Sequence, residues 1–361
     1  MNNFDNDRLY QLWDQAEELP YGEIRVRISE EAVNLAESAR DLDLIFDARL
    51  RLIESAGFSG HDEKLLAAFA WCLAQYEKDP PRFEEHRFTL LWYFKHAINS
   101  ADQFPQISLA QVDAMRAQMS EIYGRYGYNQ RPFHYSRFKF AVGIGELEQA
   151  AEAYKAYRAI ARDDMSDCTA CETNSNSWYF FMKGDFKKGL RMAQPILQGR
   201  QRCMSVPHVT YANVLRPLAL LGRYEEADQF QKKGYRLIRS NPLYVDRFAM
   251  HIAYLVHRDR RTSAVRMFER HLAMALETHE LSSRYEFLLA AQRLFTVIAE
   301  KKQTQKLNLP TSFALHDPTG QYDVAQLLSW IEAEAIPLGE RFNARNQNKY
   351  YTAGLVESLS Y

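Results

Sequence analysis

One turn occurs four times between residues 145 and 264 of this 361-residue chain. Gly145-Glu146-Leu147-Glu148-Gln149-Ala150 is followed by Gly184-Asp185-Phe186-Lys187-Lys188-Gly189. Gly222-Arg223-Tyr224-Glu225-Glu226-Ala227 and Asp259-Arg260-Arg261-Thr262-Ser263-Ala264 come next. The turn residues are 39, 38 and 37 positions apart. Two residues after the turn stands a large side chain (Leu147, Phe186, Tyr224; Arg261 departs). Five residues after it stands a small one (Ala150, Gly189, Ala227, Ala264). The turn residue relieves backbone strain, the large side chain plugs a helical hairpin, and the small one lets the second helix approach the first. One such hairpin cannot bury its own apolar face, so units repeated at this period must stack.

Most other segments also carry the helical period, as in Leu65-Phe69-Leu73-Tyr76 and Leu281-Tyr285-Leu288. No convincing run of alternating β-branched residues occurs. The turn pattern resembles the tetratricopeptide repeat, whose helix A–turn–helix B unit carries G-x-Y/F-x-x-A at the hairpin. The period here exceeds the usual length of about 34 residues. The S-D-C-x-x-C segment, the later C-x4-H and Arg341-Phe342-Asn343-Ala344-Arg345-Asn346 are similar to a bacterial group of tetratricopeptide proteins. The resemblance implies an all-α chain, a right-handed α-solenoid of tetratricopeptide-like hairpins. Residues 1–130 are expected to form degenerate helical repeats and 131–300 the clear ones. Residues 301–361, with a turn-rich excursion near Pro310 and Pro318, form a helical cap on one continuous solenoid.

The most specific chemical pattern is Cys168-Thr169-Ala170-Cys171 followed by Cys203-Met204-Ser205-Val206-Pro207-His208. This C-x2-C…C-x4-H set has the ligand types and end spacings of a tetrahedral zinc site. The repeat phase puts Cys168 and Cys171 at the start of one helix A and Cys203 after its helix B. An αα-hairpin returns the chain to the end where it began, so the cysteines meet on one rim. His208 follows at the start of the next helix A. One structural zinc per chain on Cys168, Cys171, Cys203 and His208 is expected, with no open position for catalysis. Asp167 or Glu172 are alternative fourth ligands, and without a fourth the thiols would form a redox pair. Cys72, in Phe69-Ala70-Trp71-Cys72-Leu73, reads as a core residue.

No phosphate-binding glycine loop, nucleophile elbow or H-E-x-x-H zinc helix is present, so an enzyme is not expected. A net charge of -1 gives no global field for nucleic acid, and the mixed segment Arg131–Phe140 reads as an ordinary helix. Met1–Asp7 is polar and lacks the basic and apolar regions of a leader, and no apolar stretch is long enough to span a membrane. A cytoplasmic setting is the expectation. Counting back from each turn places Tyr135, Lys139, Asn174, Trp178, Asn213 and Arg216 on the concave face. That set suits a protein or an extended peptide held through its backbone and carboxylates. The expected function is a protein- or peptide-binding scaffold. A peptide-sensing regulator and a zinc- or thiol-dependent enzyme are the alternatives.

Overall fold

The computed structural model describes residues 6–357. Met1–Asp5, part of the stretch read above for a leader, and the last four residues of the 301–361 segment lie outside the described residues. The fold is all-α apart from one short ribbon. Helices α1 (Asn6–Glu18), α2 (Glu23–Ala39), α3 (Leu42–Gly57), α4 (Asp62–Lys78), α5 (Arg87–Ala101) and α6 (Leu109–Arg125) each pack on the next. The in-phase turns then join α7 (Arg131–Gly143) to α8 (Leu147–Ala159) and α9 (Thr169–Met182) to α10 (Phe186–Leu197). They also join α11 (His208–Asn213) and α12 (Leu215–Leu220) to α13 (Tyr224–Ile238), and α14 (Val245–His257) to α15 (Arg261–Glu277).

All four turns share one hydrogen-bond pattern. Gly184 N–H donates to Phe181 O at 3.0 Å and Asp185 N–H to Phe180 O at 2.9 Å. The same pair of bonds recurs at Gly145/Glu146, Gly222/Arg223 and Asp259/Arg260. This is a Schellman closure, which needs a left-handed residue. The φ values are +77° at Gly145, +75° at Gly184, +72° at Gly222 and +54° at Asp259. The third unit has its first helix split at Val214. Pro217, four residues after Asn213, has no N–H to give the carbonyl of Asn213, so the helical ladder lapses there.

After α16 (Leu281–Ala299) the chain forms a ribbon that no apolar alternation marks in the sequence. Strand β1 (Thr304–Lys306) pairs antiparallel with β2 (Gln321–Asp323), Gln305 opposite Tyr322. At three residues each, these strands are too short to carry a periodic signal. Helix α17 (Val324–Asn346) and α18 (Tyr350–Glu357) follow, α17 packing on α16 and α18 on α17.

Successive first helices touch: α5 on α7, α7 on α9, α9 on α11, α11 on α14, α14 on α16. The row then curls back on its beginning. Asn241 Nδ2 donates to Phe58 O at 3.0 Å, and Arg345 Nη2 to Asp102 O at 3.1 Å. Asn348 Nδ2 donates to Ile144 O at 3.0 Å and to Glu146 Oε1 at 2.9 Å, and Ser282 bonds Gln103. The first helices thereby surround a central space.

Two glycines of the repeat separate backbone cost from packing cost. A Cβ on Gly184 would meet nothing within 4 Å, so Gly184→Ala should cost only the left-handed penalty, about 1 kcal/mol. A Cβ on Gly189 would lie 2.4 Å from the Phe181 ring and 2.9 Å from Ser177 O. Gly189→Ala should therefore cost more, about 2–3 kcal/mol. Urea unfolding of the two variants checks the order; equal losses would contradict it.

Candidate metal centre and central cavity

The three cysteines converge as the hairpin phase requires. Cys168 is the N-cap of α9, and its Sγ accepts from Cys171 N–H at 3.3 Å. Cys203 lies in the loop after α10, where its own N–H donates to Val206 O at 2.9 Å. The Sγ atoms of Cys171 and Cys203 are 3.4 Å apart, well beyond a disulfide's length of about 2.05 Å. All three sulfurs lie within 4.8 Å of one another, a group that could hold a metal ion. Ala170, Ile196 and Val206 form a buried apolar floor under them.

The thiols divide their protons unequally. Hydrogen bonds from Cys168 and Cys171, joined by the backbone N–H groups of Ser205 and Val206, hold the Cys203 thiol well below its ordinary range. Cys171 is raised by its hydrogen bonding with Cys168 and Cys203, and burial adds to the shift. Soft thiolate ligands in an apolar pocket favour zinc or another thiophilic ion over magnesium or calcium. Cys72 is fully buried in the N-terminal core, where desolvation raises its thiol to about 12.

The fourth ligand expected from sequence stands apart. The metal-ligating group does not include His208, whose ring stacks on Tyr244 at 5.8 Å and 8°. Its Nδ1 is buried with no hydrogen-bond partner, and desolvation lowers its pKa, so the ring is neutral. The acidic alternatives are already taken. Asp167 lies 3.0 Å from Lys95 Nζ and 3.5 Å from Lys139 Nζ. Burial alone would raise its pKa, but the two ammonium groups outweigh that and hold it well below the usual range. Glu172 lies 2.6 Å from Arg131 and 2.7 Å from Arg162.

Of the residues expected on the concave face, Lys139, Asn174, Trp178 and Asn213 line a central cavity of about 480 Å³. Trp178, Asn213 and Arg216 line an adjoining one of about 310 Å³. Tyr135 belongs elsewhere. It is buried among α7, α8 and α9, and its hydroxyl donates to Ser175 Oγ at 2.8 Å and Cys171 O at 3.2 Å. Its position is a core position of α7, where aromatic packing outweighs exposure. Across the cavity wall, Asn213 Nδ2 donates to Asn174 Oδ1 at 3.2 Å and Arg247 Nη1 to Asn213 Oδ1 at 2.8 Å. The smaller cavity is mainly apolar, with Phe181, Met182, Phe186 and Leu289 in its wall.

A third cavity of about 270 Å³ continues the space past Asn99, Gln103, Asp246 and Arg247. It holds acids that no local pattern marks. Asp62 begins α4 and Glu280 caps α16, places where carboxylates are ordinary, and only the curled chain brings them together. Arg345, by contrast, lies in a segment the resemblance did mark; it lines the central cavity and closes the seam on Asp102 O.

No protein-family model and no curated protein matches the chain. No helix among the described residues is long and apolar enough to cross a membrane.

Because lysines hold both Asp167 oxygens, Asp167→Asn should cost about 3 kcal/mol by stranding the buried Lys95 ammonium and unpairing the half-buried Lys139. Metal stoichiometry should stay as in wild type. Denaturant unfolding with metal analysis tests both halves, and loss of metal would make Asp167 a ligand.

Proposed function

We propose that the chain is a peptide-binding scaffold, a right-handed tetratricopeptide-like solenoid closed into a ring and pinned by one structural zinc. The observation that carries the reading is the run of adjoining cavities walled by the first helices of successive hairpins. An extended chain placed there would find amide groups of Asn99, Asn174 and Asn213 able to bond its backbone. Trp178, Met182 and Leu289 offer apolar contacts at one end. Such a space, with few placed polar groups among apolar walls, is the usual form of a ligand site.

Cys168, Cys171 and Cys203 would hold the zinc as thiolates. His208 would be the fourth ligand: its Nδ1 is unpartnered and it opens α11 five residues after Cys203, so ligation requires its ring to turn from Tyr244 toward the sulfurs. Zinc there would tie the α10–α11 loop to the start of α9 and stabilise the fold without taking part in a reaction. The 3.4 Å approach of Cys171 to Cys203 favours one second reading, a thiol redox pair.

Purified protein should contain about one zinc per chain. Cys171→Ser should lower zinc content and thermal stability together. Metal-free protein that forms a Cys171–Cys203 disulfide under mild oxidants, with unchanged stability, would favour the redox reading.

Selection of peptides from a random library on wild-type protein should enrich extended sequences that alter Trp178 fluorescence. Trp178→Ala and Arg216→Glu should each weaken the enriched peptide by about tenfold, roughly 1.4 kcal/mol. Equal binding by both variants would remove the peptide from the cavity.

A further inference from the structure

The third cavity carries a chemical demand of its own. Glu280 is 4 % exposed, and its Oε1 has no hydrogen-bond partner among the described residues. Its Oε2 accepts from Ser283 Oγ at 3.0 Å. Asp62, also buried, accepts from Ser100 Oγ at 2.5 Å. Both line the same cavity, and both are answered by hydroxyls rather than by cations. The cations nearby are committed. Arg247 lies 3.3 Å from Asp246 and donates to Asn213, while His96 is neutral because burial lowers its pKa to about 4. The titratable groups around the acids are His61 and Glu63 beside Asp62, His96 of α5, and Asp246 and Arg247 of α14. Carboxyl groups there outnumber the one guanidinium.

We propose that the Asp62–Glu280 end of the cavity binds the primary ammonium group of an extended ligand, the amino terminus of a peptide or the end of a linear polyamine. An ammonium brings three N–H donors in a compact head, enough to reach Asp62, the free oxygen of Glu280 and a neighbouring amide oxygen of Asn99 or Gln103. A calcium ion asks for six to eight oxygens, roughly, in one cluster. The metal-ligating group among the described residues is the three-cysteine one, so no third carboxylate closes on Asp62 and Glu280. The space continues into the central cavity through Asn99, Gln103, Asp246 and Arg247, which gives the ligand's body its course. Burial pushes the Asp62 carboxyl up to about 6 and Glu280 well above its usual range, as befits acids still lacking a counter-cation.

For the peptide source, this inference rests on the cavity being a peptide channel; the polyamine source does not need it. The test is calorimetric titration of the full-length, zinc-loaded chain with three probes. These are spermidine, the peptide Ala-Ala-Leu-Leu with a free amino terminus, and its N-acetyl form. Spermidine or the free peptide should bind, with acetylation weakening the peptide about tenfold or more. Glu280→Gln should weaken binding to a similar degree, roughly tenfold or more, without lowering the thermal midpoint, because a neutral isostere replaces a buried acid. Asp62→Asn provides the same reading should Glu280→Gln fold poorly. Equal binding of acetylated and free peptide would overturn the ammonium site yet leave the channel standing. Unchanged binding in both variants, or no binding by spermidine and the free peptide, would also overturn it. Magnesium or calcium binding abolished by Glu280→Gln, with no amine bound, would reassign the site to a metal.

Discussion

Return of the last helices onto the first is the constraint on which the interior depends. Apolar burial does not supply it alone. One apolar core runs from Leu9 to Met165 and another from Ile238 to Tyr351, with smaller clusters between. The seam joining the ends is largely polar: Asn241 on Phe58 O, Arg345 on Asp102 O, Asn348 on Ile144 O and Glu146. Such bonds are individually worth about 1 kcal/mol, but they fix geometry and register. Two glycines allow the approach. A Cβ on Gly60 would fall 2.8 Å from Leu243 N, and one on Gly145 would fall 2.3 Å from the Tyr350 ring. Both residues also hold left-handed turns, so the same two positions bend the chain locally and let its ends meet.

That double duty explains what was legible in the sequence. The four turns are local events, and glycine spacing, the plug residue and the small residue announce each one. The cysteine cluster was legible because hairpin topology converts a long sequence gap into a short spatial one. Tyr135 was misplaced because counting back from a turn fixes the helix but not its rotation, and an aromatic ring on α7 gains more by packing on Tyr157 and Phe138. His208 opens α11 beside the cluster, as the spacing implied, but its ring stacks on Tyr244 and lies outside the three-sulfur group, because stacking competes for it. Nothing in the sequence could have joined Asp62 to Glu280, because their meeting depends on the curvature summed over the intervening helices.

The buried charges obey a common rule. Where an acid and a base can meet they do so at close range, as Arg131 with Glu172 and Lys95 with Asp167. A buried pair of this kind seldom adds net stability, yet breaking it is expensive, so it acts as a specifier of which helices adjoin. Lys95 lies on α5, Lys139 on α7, and Asp167 in the loop before α9, so one carboxylate locks three consecutive layers. Asp62 and Glu280 depart from the rule, as does Arg345, which bonds the Asp102 carbonyl and Asn346 rather than a carboxylate.

The metal centre and the central space share a wall. Asp167 precedes Cys168, and its partner Lys139 lines the main cavity. Tyr135 bonds the carbonyl of Cys171. On the other side of the cluster, the loop that carries Cys203 contributes Ser205 to the third cavity, beside Tyr244 on which His208 stacks. A zinc ion joining Cys203 to α9 would therefore hold the wall of that cavity as well as the hairpin. Without it, Arg200 and Gln201 would keep their bonds to Pro195 O, and Cys203 its bond to Val206 O, but among the described residues no backbone bond of the loop would reach α9. Order in the rim would then set the shape of the interior, since the loop that carries Cys203 also lines the third cavity through Ser205.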